Sequence, residues 1–314
     1  MTITQLKYVL AVAQHQNFTR AANAVFVTQP TLSMQIHKLE EELDIQIFDR
    51  SKKPIQLTDA GKKIVQQAKN IVDESDRIQD IVDQEKGFIG GDFRLGIIPT
   101  VMPTLLPMFL QTFNNRYPKV KLRIQELTTE NILEGLQDGS LDAAIAATPL
   151  EMDYIKERIL YYEPFVAYGS SFTTPSNGKL KIEDIDLDSL LLLEDGHCFK
   201  NSVINLCRSS LNNDQKKFLL ESGSFETLIK LSDEGLGMTL LPYLNTIDLK
   251  ENRKSNLRSF EAPVPAREVS MIYHKSGLRM QIINALFDTI AGIVKGAIAF
   301  QDVKIISPKS KGRS

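Results

Sequence analysis

FTRAANAVFVTQPTLSMQIHKLEEEL, residues 18–43, splits into two amphipathic helices around a short turn. Ala21, Ala22 and Val25 lie three and four residues apart and share one helical face. Leu32, Ile36, Leu39 and Leu43 make a second apolar stripe at the same spacing. Gln29-Pro30 marks the start of the second helix, because proline in a first turn gives up an N–H that has no intrahelical acceptor. Small residues on the first helix allow the second to pack close across it. Off the stripe, the second helix carries Gln29, Thr31, Ser33, Gln35 and Lys38, which can hydrogen-bond base edges or phosphates. With Pro30 in the same first turn, they form the candidate DNA-contacting set. This is the construction of a helix-turn-helix, whose second helix enters the major groove. Periodicity alone also allows a plain helical hairpin with a solvated outer face.

The flanks fit the same plan. Upstream, Leu6, Val9, Leu10 and Ala13 make residues before Asn17 an amphipathic helix, and Asn17 or Thr19 can cap the next one. Downstream, IQIFDRSKKPIQLT (45–58) alternates, turns through Ser51 to Pro54, and alternates again, which predicts a hairpin wing. Arg50 and Lys52, with Lys53, are placed at its tip for phosphate or minor-groove contact. Residues 1–60 hold six Lys/Arg and six Asp/Glu, and the whole chain has a net charge of −2. A basic DNA-facing side must therefore come from arrangement, with Glu40, Glu41 and Glu42 expected to point away.

Thr58 is expected to start a helix running to about Lys86. Ile64, Ala68, Ile71, Ser75, Ile78 and Val82 are spaced four and three in alternation along it, a coiled-coil seam. A stripe of this length asks for a second copy, so the spacing predicts a homodimer. Gly87, Gly90 and Gly91 then break the helix as a hinge.

From Asp92 strands and helices alternate: FRLGII (93–98), VKLRIQEL (120–127) and LDAAIAA (141–147) are strands with helices between them. This order implies a parallel sheet covered by helices. A second alternating block follows from about Phe165 to Ala266, with strands at 190–194 and 238–242. EVSMIYH (268–274) returns to the first block, a helix closes it at about 278–300, and the Lys/Ser-rich end is expected to be disordered. Ligands of such sheets sit beyond the carboxyl ends of strands, where Thr100 and Thr129 fall. Each could equally cap a helix.

A chain of 314 residues, 42% hydrophobic and 24% charged, is of ordinary globular composition. The start enters an amphipathic helix at once and no apolar run is long enough to cross a bilayer, so a soluble cytoplasmic protein without membrane partners is expected. Two cysteines exclude a disulfide framework.

AANAVFVTQPTLSMQIHKLEEELDIQIFDR (21–50) with LTDAG (57–61) resembles the winged helix-turn-helix and linker helix of the LysR-type transcriptional regulators. Asp44 departs from the family's usual glycine, though aspartate also tolerates the left-handed conformation of a helix cap. The resemblance implies an α plus α/β architecture. A winged helix-turn-helix (1–58) leads through a dimerising linker helix (59–86) and a hinge (87–91) to a two-lobe α/β regulatory domain (92–302) similar to periplasmic binding proteins. Lobe I is expected to hold 92–163 and 268–302, lobe II 164–267, and residues 303–314 a disordered basic tail.

LLLEDGHCFKNSVINLC (191–207) holds both cysteines, Cys198 and Cys207, nine positions apart. Free cysteines are often inert core residues, and one histidine with two cysteines leaves a tetrahedral metal site short of a ligand, so no metal is expected. Nine residues of continuous helix separate two sulfurs by roughly 13 Å along the axis, whereas a disulfide needs Cα atoms within about 7 Å. If both cysteines lie in ordered helix, a bond between them requires unwinding and acts as a switch.

LEDGHC with its partner cysteine, IPTV (98–101), the Thr129 region and Arg267 resemble the peroxide-sensing members of the LysR family. The resemblance implies that hydrogen peroxide oxidises Cys198 to a sulfenic acid, that Cys207 resolves it to a disulfide, and that the refolded loop repositions homodimers, paired as a dimer of dimers, so that RNA polymerase is recruited to promoter DNA. It further implies a peroxide pocket of Thr100, Thr129, His197 and Arg267, resetting by a glutaredoxin- or thioredoxin-type reductant, no cofactor, and no turnover chemistry. Adjacent threonines leave open whether Thr128 or Thr129 lines the pocket. Two other readings stand beside this one: a regulator answering a small metabolite between the lobes, with inert cysteines, and a thiol peroxidase carrying a DNA-binding head, which the absence of a CxxC pair disfavours.

Overall fold

The structure is a computed structural model that describes residues 1–170, 172, 178–185, 189–193, 199, 202–203, 206, 223–298, 303–306 and 308. It divides into two compact units, Met1–Phe88 and Ile89–Ser314.

In the first unit, helices α1 (Ile3–His15), α2 (Phe18–Ala24) and α3 (Gln29–Leu43) precede a two-stranded hairpin, β1 (Phe48–Asp49) with β2 (Gln56–Leu57), and the long helix α4 (Asp59–Glu85). Each start is capped by a side chain: Thr2 and Gln5 form a reciprocal capping box, Asn17 Oδ1 accepts from Arg20 N, and Thr28 Oγ1 accepts from Thr31 N. Thr58 Oγ1 accepts from Gly61 N at 2.9 Å, which sets the beginning of α4. Asp44 ends α3 at φ 51°, the left-handed conformation expected of it.

The core of this unit joins Leu6, Val9 and Val12 to Ala21, Ala22, Leu32, Ile36 and Leu39, and takes Ala68 and Val72 from α4. The first half of the seam on α4 is thus partly used within one copy. Ile78 and Ile81 on the distal half remain 66% and 59% exposed.

Glu40 corrects an expectation. It does not merely point away from a DNA-facing side but is buried, because its carboxylate accepts from Ile47 N (2.8 Å), Phe48 N (3.2 Å) and Arg50 Nη2 (2.7 Å). It is the internal anchor of the wing. Glu40→Ala leaves two backbone donors without an acceptor and is expected to destabilise this unit by about 3 kcal/mol. Thermal unfolding measures the loss, and Glu40→Gln, which keeps an acceptor, should lose less.

The second unit is built on one nine-stranded mixed sheet. Strands β3 (Gly91–Ile97), β4 (Val120–Glu126) and β5 (Ala143–Thr148) are mutually parallel, in the order β4-β3-β5, with helices α5 (Met102–Arg116) and α6 (Thr129–Asp138) as crossovers. Two long strands follow in the sheet, β6 (Ile155–Tyr168) and, from near the end of the chain, β10 (Val264–His274), paired antiparallel. Between them in sequence come β7 (Leu190–Leu191), α7 (Phe225–Asp233), β8 (Met238–Pro242), the short helices α8 (Leu244–Ile247) and α9 (Glu251–Lys254), and β9 (Leu257–Ser259). Helix α10 (Met280–Ala297) closes the unit.

Two separate cores flank this sheet. One gathers Phe93, Leu95, Ile97, Phe109, Ile145, Tyr161, Met271 and Leu286; the other gathers Phe165, Tyr168, Phe199, Leu228, Leu240 and Phe260. Strands β6 and β10 run through both, so the two lobes share their central pair of strands. The first residues of the expected tail, 303–306, differ from expectation, while 307 and 309–314 lie outside the described residues. Val303–Ile305 forms a strand, β11, parallel to Val264–Ala266 of β10, and Ile306 is buried in the second core with its N–H on Ala266 O at 2.8 Å. Apolar Val303, Ile305 and Ile306 outweigh the Lys/Ser composition that suggested disorder. Among the described residues no helix is long and apolar enough to cross a membrane.

Candidate functional site

Most of the candidate DNA-contacting residues lie on α3. Gln29, Pro30, Thr31 and Lys38 are exposed, and Ser33 and Gln35 are half-buried at its flanks. Gln35 is partly drawn inward, its side-chain oxygen lying 3.4 Å from Gln5 Nε2. Met34, 62% exposed between Pro30 and Lys38 on the outermost line of the helix, escaped the sequence reading because polarity was the criterion. Lys52 is exposed on the wing. Arg50 is held by its ion pair with Glu40 and lies 5.2 Å over the Phe18 ring, so it braces the wing against α2.

In the second unit, sequence-distant residues meet where β6 and β10 pass between the cores. Arg267 stands opposite Glu163 in the register of these strands. Both side chains are 1% exposed. Arg267 donates to Glu163 Oε2 from Nε at 2.9 Å and from Nη2 at 2.7 Å, while Glu163 Oε1 accepts from Leu244 N at 2.9 Å. The same guanidinium donates from Nη1 to Thr100 Oγ1 at 2.8 Å and from Nη2 to the Thr100 carbonyl at 3.0 Å. These contacts occupy four of the five guanidinium hydrogens. The second Nη1 hydrogen has no acceptor among the described residues.

Thr100 is therefore not a helix cap; it follows β3 and is buried on Arg267. Nor is Thr129. Thr128 caps α6 by accepting from Asn131 N, and Thr129 Oγ1 is buried without a hydrogen-bond partner. Tyr161 Oη, two residues before Glu163 on the same face of β6, is also buried and unpartnered. Burial pushes the Tyr161 hydroxyl well above its ordinary pKa; Glu163 adds to the shift and Arg267 opposes it, so it is a neutral donor.

His197, Cys198 and Cys207 lie outside the described residues. Phe199, next in sequence to Cys198, is described. Its ring packs edge-on against Phe165 and Phe225, at 5.2 Å and 5.1 Å between centroids, and Arg267 Cζ lies 5.4 Å from its centre. Glu163 was absent from the sequence reading. Its signal was a lone acid before proline in the apolar run ILYYEPFVAY (159–168), a charge that can be buried only with a partner. Among the described residues no cluster of His, Cys, Asp and Glu is placed to hold a metal.

Residues 3–62 match the bacterial regulatory helix-turn-helix protein, lysR family, and residues 86–293 match the LysR substrate binding domain. The hydrogen peroxide-inducible genes activator of Pectobacterium carotovorum subsp. carotovorum is 31% identical over 297 residues, 94% of this chain and 98% of that protein. A full-length OxyR variant from Pseudomonas aeruginosa superposes with a TM-score of 0.74 at 32% identity, covering 93% of this chain and 98% of that one. A peroxide-bound OxyR variant from Corynebacterium glutamicum gives 0.56 at 28% identity, covering 96% and 97%. On both domains and over nearly its whole length, the chain belongs to the LysR family of DNA-binding transcriptional regulators and is similar to the family's OxyR members.

Proposed function

We propose that this regulator senses hydrogen peroxide through Cys198 and Cys207 and activates transcription in response. The Cys198 thiolate attacks one peroxide oxygen, the O–O bond breaks, and the leaving hydroxide takes a proton to become water. The sulfur is left as sulfenic acid. The Cys207 thiolate then attacks that sulfur, the S–S bond forms as the S–O bond breaks, and the leaving hydroxide takes a proton to become a second water. Peroxide is reduced by two electrons and the dithiol is oxidised by two.

The carrying observation is the unfilled polar capacity around Arg267. A buried guanidinium with one donor to spare beside Thr100 suits a small, strongly hydrogen-bonding guest, and the proposed pocket adds the Thr129 hydroxyl, itself buried and unpartnered. Such donors stabilise the charge that develops on a departing oxygen. Phe199, next in sequence to Cys198, lies against the same guanidinium. His197 completes the proposed pocket. In this reading Gln29, Pro30, Thr31, Ser33, Gln35, Lys38, Arg50 and Lys52 contact double-stranded promoter DNA, and residues 59–86 pair two copies through the exposed Ile78 and Ile81. Dimers of dimers recruit RNA polymerase in the cytoplasm, and a glutaredoxin- or thioredoxin-type reductant restores the thiols.

The test is non-reducing peptide mapping after brief exposure to micromolar peroxide, with free thiols trapped by alkylation. A rapid Cys198–Cys207 disulfide reversed by thiols is expected. Cysteines that stay reduced would leave a LysR regulator of a metabolite bound between the lobes.

A further inference from the structure

We infer that Glu163 is a positioning residue for the peroxide response: it aims the spare Arg267 donor and offsets the guanidinium charge. The inference rests on the peroxide reading above. Arg267 has no solvent to choose its orientation, being 1% exposed. Its fork is gripped on one side by Glu163 Oε2 through Nε and Nη2, which leaves Nη1 facing Thr100. Glu163 is itself fixed, because Oε1 accepts from Leu244 N at the first residue of α8. The register of β6 with β10 sets the two residues opposite one another. One carboxylate thus ties together both lobe-crossing strands, a helix start and the only charged donor of the pocket among the described residues.

Two consequences separate. The position of the carboxylate sets where Nη1 points, and so how well a peroxide oxygen is received. In the proposed pocket its charge cancels much of the field that Arg267 would exert on the Cys198 thiol, and so holds the thiolate less favoured than a bare guanidinium would make it.

Two substitutions divide these roles. Glu163→Asp keeps the charge and loses the reach; Glu163→Gln keeps the reach and loses the charge. Both are made in the full-length chain. The readouts are the rate of Cys198 oxidation by peroxide and the pH profile of its alkylation by iodoacetamide, which needs a thiolate but no leaving-oxygen donors. For Glu163→Asp, the ratio of peroxide rate to alkylation rate is expected to fall at least tenfold with the alkylation midpoint unmoved. For Glu163→Gln, the midpoint is expected to move to lower pH. A residue that merely supports folding would change both rates together. The inference is overturned if Glu163→Asp keeps the ratio within twofold of the parent chain. Should Glu163→Gln not fold, Glu163→Asp alone decides. A parent chain whose Cys198 shows no preference for peroxide would instead defeat the underlying peroxide reading.

Discussion

Cys198→Ser is expected to abolish peroxide-induced activation while leaving binding to operator DNA within about twofold of the parent protein. The expected loss is complete, because a serine hydroxyl cannot form the sulfenic acid that Cys207 must attack. DNA binding is spared because the reading helix α3 and its wing belong to a unit, Met1–Phe88, with its own core. Reporter transcription with and without peroxide, alongside gel-shift titration at fixed salt, checks both halves. Salt must be fixed because phosphate contacts make affinity depend steeply on it. A variant that no longer binds DNA at all would show that the thiol serves the fold rather than the signal.

Arg267→Met carries the largest expected cost in stability. It removes the guanidinium from a site where both partners are 1% exposed, and leaves the Glu163 carboxylate buried with, among the described residues, only Leu244 N to satisfy it. Breaking a buried pair from one side costs about 3–5 kcal/mol, which for a unit of this size lowers Tm by roughly 10 °C. The double variant Arg267→Met with Glu163→Met removes both charges, and should regain most of the loss because a packed apolar pair is often as stable as the ion pair it replaces. It should nonetheless fail to respond to peroxide. Calorimetry of the two variants measures the first statement and a reporter assay the second. If Arg267→Met unfolds within a degree or two of the parent chain, the pair is not desolvated as described.

The two variants probe different kinds of information. Whatever depended on periodicity was readable from the chain. Of the stripe Leu32, Ile36, Leu39 and Leu43 the first three are fully buried and Leu43 is exposed; Asn17 rather than Thr19 caps α2, and Thr58 caps the helix whose start it announces. The strands at 120–126 and 238–242 lie where alternation and composition placed them. These are local matters, decided by how a few neighbouring residues satisfy their own backbone.

Partnerships across long sequence separations were not readable in the same way. Glu40, in a run of three acids, looked like a solvated charge until three donors from residues 47–50 closed on it. Arg50 looked like a free wing cation, and its ion pair with Glu40 could not be read from the chain. Thr100 and Thr129 were as plausible as caps as they were as pocket residues, and only the packing gave the cap on α6 to Thr128.

By itself, then, the sequence determined the helix-turn-helix, the alternating α/β unit, through residues 21–50 with LTDAG the family resemblance, and through LEDGHC and the cysteine nine positions on the resemblance to the peroxide-sensing members. Hydrophobic periodicity and capping act within a few residues and are written in order along the chain. Only the tertiary structure decided that Arg267 faces Glu163 across two antiparallel strands, that Thr100 receives its remaining reach, and that the end of the chain returns as a strand beside Val264–Ala266. A buried charge must find its partner wherever the fold delivers one, 104 residues away for this pair, and that delivery depends on strand register rather than on any neighbour in sequence.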